Sequence, residues 1–201
     1  MRNYMIDIET CGLAHNSVVW AVAIQPFILV GSTTSLDGPG KMVLMDPAEQ
    51  LQHAAAGRLV VNEETIRWTQ SHGDAENFMP WWQAFNSGGE VDMDFSVYSI
   101  ADLALEIRLH NGSDNNALFW CKGKEFDFSI LKYQFALAGR NEPWHYKNLM
   151  CMRTMDGLLR HGIGADSKRP APSHNALEDA QAQVHLLGDN LRAYDNMRGI
   201  A

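Results

Sequence analysis

The sequence predicts an α/β layer fold with a mixed central β-sheet flanked by helices. Apolar, β-branched-rich runs dominate the first 45 residues, and helical patterns then surround one further strand-like run, ALFWCKG at 117–123. Early strands followed by alternating helices and strands are the element order of such a layered fold. Length agrees: 201 residues fit one domain with a full core, so 1–201 is expected to form a single domain.

Residues 2–9 read as a strand, and SVVWAVAIQPFILVG (17–31) as one long strand or two with a break at Pro26. TSLDGPGKM (34–42) carries turn residues, and MVLMD (42–46) reads as a short strand before Pro47. Residues 62–89 read as helix in pieces, broken near His72-Gly73 and near Pro80. VYSIADLALEIRLHNG (97–112) places Ile100, Leu103, Ala104 and Ile107 at helical spacing and ends in Asn111-Gly112. EFDFSILKYQFALAG (125–139) is a helix closed by Gly139, and NLMCMRTMDGLLRHG (148–162) is a further helix. KRPAPS (168–173) is a proline-containing linker, and 173–198 forms the final helix.

Composition narrows the function classes. No apolar run approaches the roughly 20 residues that span a bilayer. The N-terminus shows no basic segment followed by an apolar stretch, so no secretory signal is expected. Cys11, Cys121 and Cys151 are widely spaced and odd in number, which favours reduced thiols and a cytoplasmic location over a disulfide framework or zinc site. The net charge of −8 argues against broad duplex binding. It is unevenly spread: residues 37–116 hold 4 Lys and Arg against 13 Asp and Glu, whereas 122–169 hold 9 against 5. The second stretch is the better candidate to meet a polyanion, with a solvated basic surface as the alternative.

Within the first strand, NYMIDIETCG, the alternation puts Tyr4, Ile6 and Ile8 on one face and Met5, Asp7 and Glu9 on the other. Two carboxylates side by side repel unless positive charge lies between them. Asp127 falls just past a buried strand in the first turn of a helix, where the macrodipole favours an acid. Taken alone it reads as a helix-start stabiliser. His174 and Asp179 in SHNALEDA are five residues apart, a poor spacing for one helical face. The N-x-x-E run at 175–178 resembles a capping box, which makes Asn175 the N-cap, His174 the residue before it and Asp179 the fourth helical residue. Those two positions approach one another. Hard oxygen ligands with one imidazole nearby suit Mg²⁺ or Mn²⁺ better than zinc.

The motif set resembles the DEDDh exonucleases, the group that includes polymerase proofreading domains and ribonuclease T. Asp7, Glu9, Thr10, Gly12 and Leu13 match its D-x-E-T-x-G-L/M motif, Phe126-Asp127 its second, and His174 with Asp179 its H-x-x-x-x-D motif. TIRW at 65–68 followed by Gln70, FWCKGKEFDFSIL at 119–131, PWHY at 143–146 and RT at 153–154 look like the exonuclease A proteins of large lytic phages and a related small bacterial exoribonuclease group. Here Thr69 and Cys151 stand where those proteins often carry a second tryptophan and an acid.

The resemblance implies an RNase H-like fold and 3′→5′ hydrolysis of phosphodiester bonds at single-stranded DNA or RNA ends. It implies two Mg²⁺ or Mn²⁺ ions, held by Asp7, Glu9, Asp127 and Asp179, with His174 taking the proton of the attacking water. Thr10 would hold the terminal sugar by its backbone and Leu13 would wedge between the last two bases, with Gly12 between them also counted among the substrate-binding residues. Lys122, Lys124 and Lys132 are candidates for phosphates further up the strand. Trp68 and Trp120 are candidates to stack bases, although tryptophans in apolar surroundings more often belong to a core. Homodimers are common among such domains, and no membrane partner is expected. The alternatives are an oligonucleotide phosphodiesterase and a catalytically silent nucleic-acid-binding module of the same fold.

Overall fold

The computed structural model of the chain describes residues 2–89, 96–111, 116–163 and 171–199. The strands among them are β1 (Asn3–Thr10), β2 (Val19–Val30), β3 (Thr33–Leu36), β4 (Lys41–Met45), β5 (Val97–Tyr98), β6 (Leu118–Cys121) and β7 (Leu149–Cys151). They form one sheet in the order β5-β4-β2-β1-β6-β7, with β3 paired to β2 beside that path. β2 runs antiparallel to β1, β3 and β4, whereas β6 is parallel to β1, β7 to β6 and β5 to β4. The mixed sheet expected from the sequence is the one found.

Seven α-helices lie among the described residues: α1 (Pro47–Ala55), α2 (Glu63–His72), α3 (Ala75–Ser87), α4 (Ile100–Asn111), α5 (Asp127–Leu137), α6 (Met152–Ile163) and α7 (Ala176–Arg198). The alternation in β1 separates two cores. Tyr4, Ile6 and Ile8 bury with Ile100, Leu103, Ile107 of α4 and Phe128, Leu131, Phe135 of α5. Met5 faces the opposite way, into a cluster with Ala180, Val184 and Leu187 of α7. A third cluster joins Trp20 and Ala21 of β2 to Ile66 of α2 and Phe78, Trp81 and Phe85 of α3. Asp7 and Glu9 therefore share the α7 side of the sheet.

β2 runs unbroken through Pro26. Its neighbour β4 pairs with residues 21–24 and β3 with 27–30, so Pro26 falls in the gap between them. The Pro26 carbonyl accepts from the Asp37 N–H on that side, and the ring nitrogen has no ladder bond to lose there. The turn expected over 34–42 is shorter, because Thr33–Leu36 closes a hairpin on β2.

Three further differences have local causes. α1 was not expected, although Asp46 caps it by accepting from the Ala48 and Glu49 N–H groups and Pro47 stands at its first position. α3 continues past Pro80, because burying Phe78, Trp81, Ala84 and Phe85 outweighs the missing hydrogen bond. Leu149–Cys151 is an edge strand beside β6, and Val97–Tyr98 is a short strand beside β4. Both are too short to show a period of two before the helical pattern that follows. Gly112 and residues 168–170 of the linker lie outside the described residues. Among the described residues, no helix is long and apolar enough to cross a membrane. All three cysteines are free.

Candidate active site

β1 and β6 are parallel neighbours whose last registered pair is Met5 with Trp120. Beyond it β1 continues to Asp7 and Glu9, and the chain leaving β6 turns into α5. Carboxyl ends of adjacent parallel strands are where α/β sheets present ligand-binding groups. Across the β1–β2 pairing, Asp7 lies opposite Ala23 and Glu9 opposite Ala21. Cross-strand partners share a face, so two alanines leave room beside the acids where larger residues would fill it.

Asp127 is the first residue of α5 and is 5% exposed; its Oδ2 accepts from the Gly123 N–H at 3.2 Å. Burial lifts its carboxyl to about 6, opposed by that backbone bond and by the Arg153 guanidinium. Arg153 packs so closely on Gly123 that a Cβ there would come within 3.2 Å of it.

Asn175 caps α7, its side chain accepting from the Leu177 and Glu178 N–H groups, as the capping pattern indicated. His174 before it has φ 60°, left-handed backbone, and is the one non-glycine residue with positive φ among the described residues. That turn overcomes the five-residue spacing. It aims the Ser173 and His174 N–H groups at Asp179, which accepts them at 2.8 and 3.2 Å, with the Ser173 hydroxyl at 3.1 Å. Such a backbone costs an L-residue about 1–2 kcal/mol, so the bonds around it must hold it.

Glu9, His174 and Asp179 each offer a ligand atom, and these atoms lie within 4.8 Å of one another. Asp7 adjoins this group. Its Oδ1 accepts from the Gln183 Nε2 at 2.7 Å. Burial, then the Asp127 and Asp179 charges, hold the Asp7 carboxyl well above the usual range, opposed by the Gln183 bond and by Lys122. Glu9 is pushed up to about 9, by burial first and then by Asp7, Asp179, Asp74 and Asp127. These acids carry too little positive charge around them to ionise together. Oxygen donors short of countercharge fit hard divalent cations.

A cleft of about 580 Å³ opens from Glu9 and His174, with Thr10, Leu13, Glu64 and Trp68 in its walls. That lies within the roughly 300–1,000 Å³ typical of ligand sites. Leu13 is 82% exposed and Trp68 42%, so both present apolar surface at the cleft. Trp68 meets the His174 ring edge-on, centroids 4.4 Å apart, and stacks on His72. Thr10 donates its hydroxyl to the Gly12 carbonyl at 2.6 Å. A Cβ on Gly12 would come within 2.8 Å of the Ser17 Oγ, so a side chain in the turn that projects Leu13 would have to displace that hydroxyl.

The fold thus gathers Asp7, Glu9, Asp127, His174 and Asp179 and sets Thr10, Leu13 and Trp68 around the adjoining cleft. Lys124 lines neither this cleft nor the small cavity behind Asp179; Lys122 lines the latter. The Lys132 ammonium is paired with Glu142 at 3.0 Å. Trp120 is a core residue, 4% exposed, with its indole N–H bonded to Asn3, so it offers no face for stacking. Sequence reading missed Gln183, although it lies one turn after Asp179 on the same helical face. It also missed Asp74, which only the caps of two distant helices bring to the site.

Solved nuclease structures share this architecture. The chain aligns with E. coli exonuclease I in complex with a 5cy-dT13 oligonucleotide, with a TM-score of 0.62 and 10% identity over 99% of this chain and 41% of that one. Cell-death related nuclease 4 (CRN-4) aligns with a TM-score of 0.58 and 12% identity, over 95% of this chain and 64% of that one. The chain therefore spans about two fifths of exonuclease I, and at these identities the likeness is one of fold. That fold is the RNase H-like fold of the DnaQ-like exonucleases. The chain itself belongs to the 3′-5′ exoribonuclease Rv2179c-like domain family, whose model matches residues 2–189. No protein of curated function matches it in sequence. The resemblance to phage exonuclease A rests on the sequence motifs alone.

Proposed function

We propose that the chain forms one DEDDh-type exonuclease domain that removes nucleoside 5′-monophosphates from the 3′ ends of single-stranded nucleic acid, with RNA the preferred substrate. The convergence of Glu9, His174 and Asp179 ligand atoms within 4.8 Å, at the mouth of a cleft walled by Trp68, carries this reading. The exoribonuclease description of the family supports RNA.

Asp7, Glu9, Asp127 and Asp179 would hold two Mg²⁺ or Mn²⁺ ions. Bound there, such ions lower the pKa of water and neutralise the charge that develops on phosphate and leaving oxygen. The chain's residues do the rest. His174 accepts the water proton on an imidazole nitrogen. The water oxygen bonds to phosphorus as the P–O3′ bond breaks, and the proton balance closes when the 3′ oxygen is protonated from solvent. Gln183 holds the Asp7 carboxyl in one orientation. Leu13 separates the last two bases, Trp68 stacks the terminal base, and Thr10 and Gly12 bring the backbone to the terminal sugar.

An acidic protein can act on a polyanion in this way because only the terminal nucleotides are gripped. End-labelled single-stranded RNA, single-stranded DNA and duplex, compared with Mn²⁺, test the reading. Mononucleotides released from the 3′ end of single strands, RNA fastest, are expected. Internal cleavage, or no cleavage by the folded protein in either metal, overturns it.

A further inference from the structure

The left-handed backbone at His174 is held from two sides. On one side the bonds end on Asp179, whose oxygens accept from Ser173 and His174. On the other they end on Asp74. Its Oδ2 accepts from the Asn175 Nδ2 at 2.7 Å and from the Asn77 Nδ2 at 2.7 Å, and its Oδ1 accepts from the Asn77 N–H at 3.4 Å. Asp74 is the N-cap of α3 and Asn175 the N-cap of α7. One side-chain hydrogen bond thus ties the heads of two helices together, beside the strained residue. The α2–α3 corner that bears Asp74 follows the helix that carries Trp68, and Trp68 meets the His174 ring edge-on.

The two holds differ in kind. Asp179 is assigned above to cation binding, so its oxygens are shared whenever ions enter or leave. The oxygens of Asp74 are taken by amide groups of Asn77 and Asn175, and its bond to Asn175 does not depend on the ions. We propose that Asp74 and Asn175 are positioning residues for His174. Their hydrogen bond pins the histidine segment to the α2–α3 corner and keeps the imidazole over Glu9 and Asp179 through each cycle. The catalytic consequence rests on the exonuclease reading, whereas the positioning itself does not.

A donor–acceptor exchange tests this. Asp and Asn are equally good N-caps, so Asn175→Asp keeps the cap of α7 while setting a carboxylate against Asp74. Adding Asp74→Asn restores one donor and one acceptor with their places exchanged. Two readouts are followed in the full chain. The first is the NMR position of the His174 ring protons, which the Trp68 ring current displaces. The second is turnover of single-stranded RNA with Mn²⁺. Asn175→Asp is expected to move the His174 signals toward those of a free histidine and to lower kcat at least tenfold, with KM within twofold. The double variant is expected to recover the signals and most of kcat. Unmoved His174 signals in Asn175→Asp, or a double variant no better than the single, overturns the proposal. If the wild-type protein proves inactive, the exonuclease reading falls, and the ring signals alone decide the positioning.

Discussion

The strand-borne acids and the histidine segment contribute to one site at different kinds of cost. Asp7 and Glu9 sit toward the carboxyl end of β1, where burial and mutual repulsion raise their pKa values, and Asp127 opens α5, where burial raises its own. Their cost is electrostatic, and a bound cation would remove it. His174 and Asp179 sit at the head of α7, where the cost lies in the backbone, in a left-handed residue held by side-chain bonds. No ion removes that. The difference teaches that the acid side carries a charge cost that only countercharge relieves, whereas the backbone of the histidine segment is held by the chain's own hydrogen bonds.

Removing an acid should break the comparison most visibly. Asp7→Asn and Asp127→Ala are each expected to lower hydrolysis by about 10³-fold or more, since the electrostatic clamp on phosphate is usually the largest catalytic contribution. Asp7→Asn should also melt above the wild type in metal-free buffer, because the amide needs no countercharge. Measurable turnover at wild-type rates would remove these residues from the mechanism. A lowered metal-free melting temperature in Asp7→Asn would show that the acid is not an electrostatic cost.

The pH dependence of the metal-free protein comes next. The folded Glu9 carboxyl titrates at about 9 against 4.5 when unperturbed, and Asp127 at about 6 against 3.8. Between each pair of values the folded state binds more protons than the unfolded state, so stability falls as pH rises. The contribution is complete below about pH 4 and is lost through pH 6 for Asp127 and pH 9 for Glu9. Calorimetry in chelator should show the melting temperature declining from pH 5 to 9. Mg²⁺ or Mn²⁺ should flatten that decline, because ions bind the assembled cluster and not the unfolded chain. A profile that is flat without metal, or indifferent to added metal, would contradict the electrostatic account.

The two tryptophans sharpen the contrast between cleft and core. Stacking of a base on an aromatic ring contributes roughly 1–3 kcal/mol. Trp68→Ala should therefore weaken binding of a single-stranded 3′ end by about 5- to 150-fold, measured by fluorescence anisotropy, and leave global stability nearly unchanged. Trp120→Ala should cost about 3–5 kcal/mol of stability, as for other large-to-small core changes. If Trp68→Ala binds as tightly as the wild type, the exposed ring has no part in holding the strand.

What was legible in the sequence follows the same division. Asp7 and Glu9 could be read because a period of two puts both on one face of a recognisable strand, and the facing alanines only make room. The juxtaposition of His174 and Asp179 could be read because the Asn175 cap has a local pattern that fixes both positions. The fold class was legible from the order of apolar runs. Short edge elements were not: β5 and β7 owe their form to partners distant in sequence, β4 and β6, and the four residues of β3 to the hairpin they close on β2. Lys122 rather than Lys124 reaches the acids because tertiary packing, and not a local pattern, sets where the chain leaving β6 meets β1 and α7. Asp74 was illegible for the same reason, since its contact with Asn175 spans 101 residues.

The smallest expected effect isolates the backbone cost at His174. Replacing the histidine by alanine or by glycine removes the same ring and its contact with Trp68, so on the proposed mechanism both variants should lose hydrolysis about equally. They differ in the backbone. Alanine must still adopt φ near 60° with a Cβ crowding the carbonyl, whereas glycine enters that region freely. Glycine also gains freedom in the unfolded chain, which takes back part of the advantage. The balance should leave His174→Gly more stable than His174→Ala by about 1 kcal/mol, or about 2–4 °C in melting temperature for a chain of this size. Equal melting, or alanine the more stable, would show that the segment relaxes out of the left-handed region once the ring is gone. The bonds from Asp179 and Asn175 would then follow the histidine rather than hold it.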